Sequence, residues 1–174
     1  MFDRLRTARI GAAVLTSCVL AVGLAGGAEA ATPKNARLDI VGGLQFEAGH
    51  HVMDDQRFSR IVTNVKSGGT ITLVNRAKTQ DPHTLSLVKR SQLPDSFDCE
   101  ACGAFFGAHE VNEETNEPGK PLVDVGATGF DRPGDSVVIE PRGRVKLKVT
   151  AAKGKRLYYL CAVHPWMQGR IGVR

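Results

Sequence analysis

Seven consecutive residues, RVKLKVT at 144–150, alternate without a break: Val145, Leu147 and Val149 on one side, Lys146, Lys148 and Thr150 on the other. A period of two marks a strand with one buried and one solvated face. Similar short runs recur, beginning with RLDIV from residue 37, SRIVTNV (59–65), TITLVNR (70–76) and HTLSLV (83–88). They continue with SVVIE (136–140), RLYYLC (156–161) and GRIGVR (169–174). The turn-forming stretches KSGG, PRG and AAKGK separate several of them. Short strands punctuated in this way predict an all-β chain, a Greek-key β-sandwich. No long helix and no internal repeat is legible after residue 36. With 174 residues, 42% of them hydrophobic, one domain with a full core is expected. It is assigned to residues 37–174, after a linker at 31–36. Residues 89–135 break the strand pattern and form an insertion, too long for an ordinary connection. Such segments tend to be stapled or functional.

The first thirty residues read as a signal peptide: basic MFDRLRTAR, apolar IGAAVLTSCVLAVGLAGG, then the small-x-small AEA before Ala31. LTSC at 15–18 also resembles a lipoprotein cleavage box, which would leave Cys18 as a lipid anchor. The apolar run continues past Cys18, which favours simple cleavage. Both readings predict export to the periplasm, the medium or the cell surface. No second apolar run is long enough for a membrane span. Cys99, Cys102 and Cys161 remain after cleavage. In an oxidising compartment two can pair, and the neighbours Cys99 and Cys102 are assigned a disulfide. Redox CxxC motifs stand at a helix N-terminus beside a βαβ pattern, which is not legible here. A second metal site joining His109 to the CxxC pair is the other reading. His50 and His51 are adjacent, so a strand points them to opposite faces, and they read as surface residues. The net charge of +5 is dispersed, with no basic stripe interleaved with aromatics, so nucleic-acid binding is not expected.

Cys161 is then an unpaired thiol in an exported chain, a liability unless something occupies it. It stands in CAVHPWM, where Cys161, His164 and Met167 are spaced by three. Each alone reads as packing or as a hydrogen-bonded residue. Together they offer a thiolate, an imidazole and a thioether, a set suited to copper. A second imidazole is His83 in DPHTL, where Pro82 stiffens the approach and holds Asp81 out of helical geometry. His83 begins one strand and Cys161 ends another, and a Greek key brings such ends to one pole. His83, Cys161 and His164 would form a trigonal plane with Met167 as weak axial ligand, the blue-copper pattern.

Two stretches resemble the cupredoxin family, and its amicyanin and plastocyanin branch in particular. VKSGGTITLVN (65–75) leading to DPH (81–83) is similar to the family's strand pair before its first histidine. YYLCAVHPWMQG (158–169) is similar to its closing ligand loop, with the short amicyanin spacing between His164 and Met167. The resemblance spans roughly residues 37–88 and 136–174 and omits 89–135. It implies one copper ion cycling between Cu(II) and Cu(I) in a protein that carries single electrons and is no enzyme. It also implies a Thr84 amide directed at the Cys161 sulfur, with Asn75 bracing the loop before His83. A transient redox protein would dock on an apolar patch at Pro165 and Trp166, from which the His164 edge projects to solvent. Copper storage or delivery is the alternative, but only Met53 and Met167 follow the leader, few for an exchangeable site. The catalytic reading fails for want of a second copper site, since no His-x-His pair is present. A monomer is expected.

Overall fold

The computed structural model describes residues 31–112, 114–115 and 117–174. The signal-peptide reading of residues 1–30 and the acylation of Cys18 lie outside the described residues. The strands, in chain order, begin with β1 (Asn35–Val41), β2 (Leu44–Glu47), β3 (His51–Asp54), β4 (Arg57–Phe58), β5 (Val62–Val65) and β6 (Thr70–Asn75). They continue with β7 (His83–Val88), β8 (Leu122–Val123), β9 (Ser136–Ile139), β10 (Arg144–Lys148), β11 (Arg156–Leu160) and β12 (Gln168–Val173). One sheet has the order β10-β6-β1-β4, the other β5-β12-β11-β7-β9-β8, and β2 with β3 forms a separate hairpin. The chain changes sheet between β4 and β5, β5 and β6, β6 and β7, and on either side of β10. Apart from the consecutive pairs β8–β9 and β11–β12, neighbours within the two sheets are therefore non-consecutive in sequence, as a Greek-key sandwich requires.

The period-two patterns become the inner faces. Leu38 and Ile40 of β1, Ile71 and Leu73 of β6 and Leu147 of β10 meet Leu85, Leu87, Ile139, Leu157, Tyr159 and Ile171 of the opposite sheet in one core. Each such side chain contributes roughly 1.5–3 kcal/mol when removed from water. Across the core, Phe58 and Tyr159 pack edge to face with ring centroids 4.9 Å apart. In β10 the lysines are exposed while Leu147 is buried, as the alternation predicts.

Strands β7 and β9 depart from that alternation, being buried along their whole length. The cause is the insertion, which covers the outer face of their sheet. It carries a helix, α1 (Glu100–Ala108), where none was expected. Its sequence, EACGAFFGA, holds two glycines and only a short apolar stripe, so helical periodicity is faint. Cys102 and Phe105 of α1 pack with Val88, Leu160 and Ala162, a second small core behind the sheet. Cys99 caps the helix and is disulfide-bonded to Cys102. The CxxC thus does stand at a helix N-terminus, although no βαβ unit accompanies it. The end of the insertion is held by the buried carboxylate of Asp135. It accepts hydrogen bonds from the amides of Val125 (2.9 Å), Asp131 (2.9 Å) and Arg132 (3.1 Å).

Candidate metal centre

Strands β7 and β11 are antiparallel neighbours, with Leu160 opposite Ser86. The start of β7 and the end of β11 therefore reach the same pole. His83 opens β7, and Cys161 follows β11 directly. The seven-residue loop from Cys161 to Met167 closes on itself: the Cys161 amide donates to the Met167 carbonyl (2.9 Å) and the Met167 amide to the His164 carbonyl (2.9 Å). Gly169 lets β12 leave the loop close to the core, since a Cβ there would lie 2.4 Å from the Tyr159 hydroxyl oxygen.

His83, Cys161 and His164 are all buried, and their ligand atoms lie within 4.8 Å of one another. The Cys161 Sγ is 3.7 Å from His83 Nδ1 and 3.8 Å from His164 Nδ1. A borderline ion bound at about 2.1 Å to nitrogen and 2.3 Å to sulfur, at trigonal angles, separates those atoms by about 3.8 Å. The two N···S distances fit that requirement. Cys161 is a free, buried thiol, and His83 Nε2 is buried without a hydrogen-bond partner. Met167 is buried in the same core cluster as Cys161.

Burial, reinforced by neighbouring His164, pushes His83 down to about 4 from its usual 6.5. Burial also lowers His164, against the opposing pull of Asp54 and Asp81. Both rings are therefore neutral near pH 7, as ligands must be. Burial pushes the Cys161 thiol up, opposed first by the Thr84 amide. That amide donates to the sulfur at 3.3 Å. Asn75 lies on the approach to His83: its amide donates to the Asp81 carbonyl (3.1 Å), and its oxygen accepts from the Ala77 amide (3.1 Å). Pro82 is half-buried between these groups.

The exposed His164 edge expected from the sequence is absent, because the His164 side chain is only 8% exposed. Gln56, just before β4, covers it. The Gln56 amide nitrogen is 3.2 Å from His164 Nε2, 2.9 Å from Asp54 Oδ2 and 3.2 Å from Asp81 Oδ2. Its amide oxygen accepts from the Thr79 hydroxyl (2.7 Å), and its backbone carbonyl from the Trp166 indole (3.0 Å). Sequence reasoning missed Gln56, which is 108 positions from His164 and belongs to no motif. Trp166 itself is 41% exposed, packs edge-on against His164 and meets Phe97 of the insertion at 5.6 Å between ring centroids. Pro165 is half-buried beside it, its carbonyl accepting from the Gln168 side chain (2.9 Å).

His109 does not join the cysteines in a metal site. They are bonded to each other, and its ring nitrogens face the Lys120 carbonyl and the Ser136 hydroxyl. His50 and His51 lie on the exposed β2–β3 hairpin, where His51 is 3.7 Å from Glu47. No helix among the described residues is long and apolar enough to cross a membrane.

The chain matches no protein-family model and no curated protein. Solved structures similar to it include auracyanin from Roseiflexus castenholzii, 18% identical over 83% of this chain and 99% of that one, with a TM-score of 0.44. A purple cupredoxin from Nitrosopumilus maritimus is 15% identical over 80% of this chain and 99% of that one, with a TM-score of 0.44. Auracyanin A, a "blue" copper protein from Chloroflexus aurantiacus, is 18% identical over 80% and 99%, with a TM-score of 0.42. The chain itself shows a two-sheet β-sandwich with the His83–Cys161–His164 group at one pole.

Proposed function

We propose that this chain is an exported mononuclear blue-copper protein that carries one electron at a time. The observation that carries the reading is the buried His83–Cys161–His164 group, with N···S distances of 3.7 and 3.8 Å. One thiolate, two imidazoles and a nearby thioether form a donor set that suits copper. Copper bound there supplies a Cu(II)/Cu(I) couple. His83 and His164, already neutral, would hold it through Nδ1, and Cys161 would hold it as a thiolate. Met167, buried in the same core cluster as Cys161, would supply the weak thioether donor. The Thr84 amide stabilises the thiolate, and Asn75 with Pro82 stiffens the approach to His83. With Nδ1 engaged, His164 carries its proton on Nε2. Asp54 Oδ2 lies 4.0 Å from that nitrogen, an electrostatic neighbour beyond hydrogen-bond reach.

The buried ligands keep the site dry and stiff, so little rearranges when an electron arrives. The same enclosure argues against storage or delivery, which need an ion that leaves easily. A redox protein would dock transiently on the apolar surface at Pro165 and Trp166, which Phe97 extends, and the carrier acts as a monomer. Two measurements on the copper-loaded protein separate the readings. A carrier gives a reversible one-electron wave and retains copper against a chelator in both oxidation states. An irreversible wave, with loss of Cu(I) to the chelator, would favour delivery.

A further inference from the structure

The net charge of +5 is dispersed along the sequence, but the fold gathers cations at the end of the sandwich far from the ligand loop. Four short segments meet there: 31–36, 64–70, 148–156 and 172–174. The Lys66 amide donates to the Pro33 carbonyl (3.1 Å), and the Thr70 amide to the Lys34 carbonyl (3.1 Å). The Ser67 amide donates to the Arg174 main-chain oxygen (3.1 Å), the Gly68 amide to the Val149 carbonyl (2.8 Å) and the Gly154 amide to the Val173 carbonyl (2.8 Å). These segments carry Lys34, Lys66, Lys148, Lys153, Lys155, Arg156 and Arg174, and no Asp or Glu. All of these cations are exposed, and none forms an ion pair among the described residues. Beside them a recess of about 120 Å³ lies between Arg156, Arg170 and Arg174, again with no acid in its lining. Gly172 keeps it open, since a Cβ there would lie 2.3 Å from Asn64 Oδ1.

Strand β11 runs from Arg156 at this end to Leu160, next to Cys161. Five residues at about 3.3 Å each put the basic end roughly 16 Å from the metal centre. Acids stand at the other end instead, where Asp54 and Asp81 meet the Gln56 amide that covers His164. The exposed aromatics Trp166 and Phe97 are there too. The basic end has no such apolar centre, because none of its four segments holds an exposed large hydrophobic side chain. Protein interfaces are built around aromatic and apolar anchors, with lysine depleted. A lysine-rich surface without an anchor suits an anionic bilayer, whose headgroups attract each basic side chain that comes within a Debye length. Pro33 is bonded at this end, so the chain before it joins the domain on the same side.

We propose that this end of the sandwich binds the anionic headgroups of a phospholipid bilayer. The recess between Arg156, Arg170 and Arg174 receives one headgroup phosphate, and the surrounding lysines rest on its neighbours. The attraction is electrostatic and reversible, and it inserts no segment into the bilayer. It turns the metal centre, Trp166 and Phe97 away from the lipid. A carrier held in this way at a membrane surface keeps its docking face free for a redox protein. The binding surface goes beyond the carrier reading and does not depend on what the metal centre holds.

The test is co-sedimentation of the protein starting at Ala31, which contains both sheets and both cores, with vesicles of phosphatidylcholine alone or mixed with phosphatidylglycerol. Binding is expected only to the anionic vesicles, and it should weaken steeply as salt rises to about 0.15 M, where the Debye length is about 8 Å. Lys66→Glu, Lys153→Glu and Lys155→Glu together should weaken it by about tenfold or more. The same charge change around Asn75 at the metal end, made by Lys78→Glu, Arg142→Glu and Arg144→Glu, should cost clearly less. Trp166 is the chain's single tryptophan and reports orientation in the metal-free protein. On the anionic vesicles its emission should keep its wavelength and stay open to quenching by acrylamide. Equal binding to both kinds of vesicle, equal weakening by the two triple variants, or a Trp166 that becomes shielded would overturn the proposal. Tight binding of inorganic phosphate without vesicle binding would overturn it in favour of a free-anion site. Retention by polyglutamate without vesicle binding would overturn it in favour of an acidic protein. A protein that binds vesicles as expected but shows no sulfur-to-copper band would uphold this proposal and overturn the carrier reading alone.

Discussion

Acid should unfold the metal-free protein through His83. In the folded chain this imidazole is pushed down to about 4, while in the unfolded chain it returns to its ordinary 6.5. Between those values the unfolded state takes up a proton that the folded state refuses, so stability falls as the pH drops from 6.5 to 4 and is fully present above 6.5. Each unit of difference is worth about 1.4 kcal/mol, so His83 accounts for roughly 3 kcal/mol across that window. Burial of His164 adds loss of the same sign. Against a typical total of about 5–15 kcal/mol, this is a large share. Urea denaturation of the metal-free protein, followed by circular dichroism between pH 7.5 and 4.5, measures it. With a slope of about 2 kcal/mol per molar urea, the midpoint should fall by more than about 1 M. His83→Gln removes the titrating ring while keeping a polar side chain, and its midpoint should fall clearly less. A wild-type midpoint that is flat across the window, or an equal fall in His83→Gln, would refute the reasoning.

Three further outcomes follow from the site. Met167→Leu keeps volume and apolarity, costing under about 1.5 kcal/mol in packing. If the thioether is the axial donor, its loss should raise the potential by the order of 59 mV with the colour kept, and an unchanged potential would make Met167 a packing residue. Thiol titration of the unfolded, metal-free protein starting at Ala31 should count one free thiol per chain, Cys161, and a count of three would contradict the Cys99–Cys102 disulfide. Trp166→Glu and Phe97→Glu should each slow electron exchange with a redox partner protein while leaving the visible spectrum nearly intact. An undiminished rate in both would move docking away from this surface.

The sandwich was legible because its core strands obey simple alternation: Val145, Leu147 and Val149 face as their period says. Cys161 and His164 were legible as neighbours because a short loop holds them three residues apart. His83 could be joined to them through its DPH setting and the Greek-key pole. Gln56 was invisible, since its role arises only where the segment before β4 crosses the ligand loop. It is also why the His164 edge proved covered. Helix α1 was missed because Gly103 and Gly107 dilute its period and its stability comes from packing Cys102 and Phe105 on the sheet. The buried polar residues Thr84, Ser86, Ser136 and His109 looked like ordinary strand and loop polarity. Their burial depends on the insertion covering a face that alternation alone would leave in water.

The most direct test is the visible and EPR spectrum of the protein loaded with Cu(II), compared with that of Cys161→Ser. The proposed site predicts an intense sulfur-to-copper charge-transfer band in the wild-type protein and its complete loss in the variant. A band that survives Cys161→Ser, or a wild-type protein whose bound Cu(II) shows only a weak band and an ordinary tetragonal EPR signal, would contradict ligation by His83, Cys161 and His164.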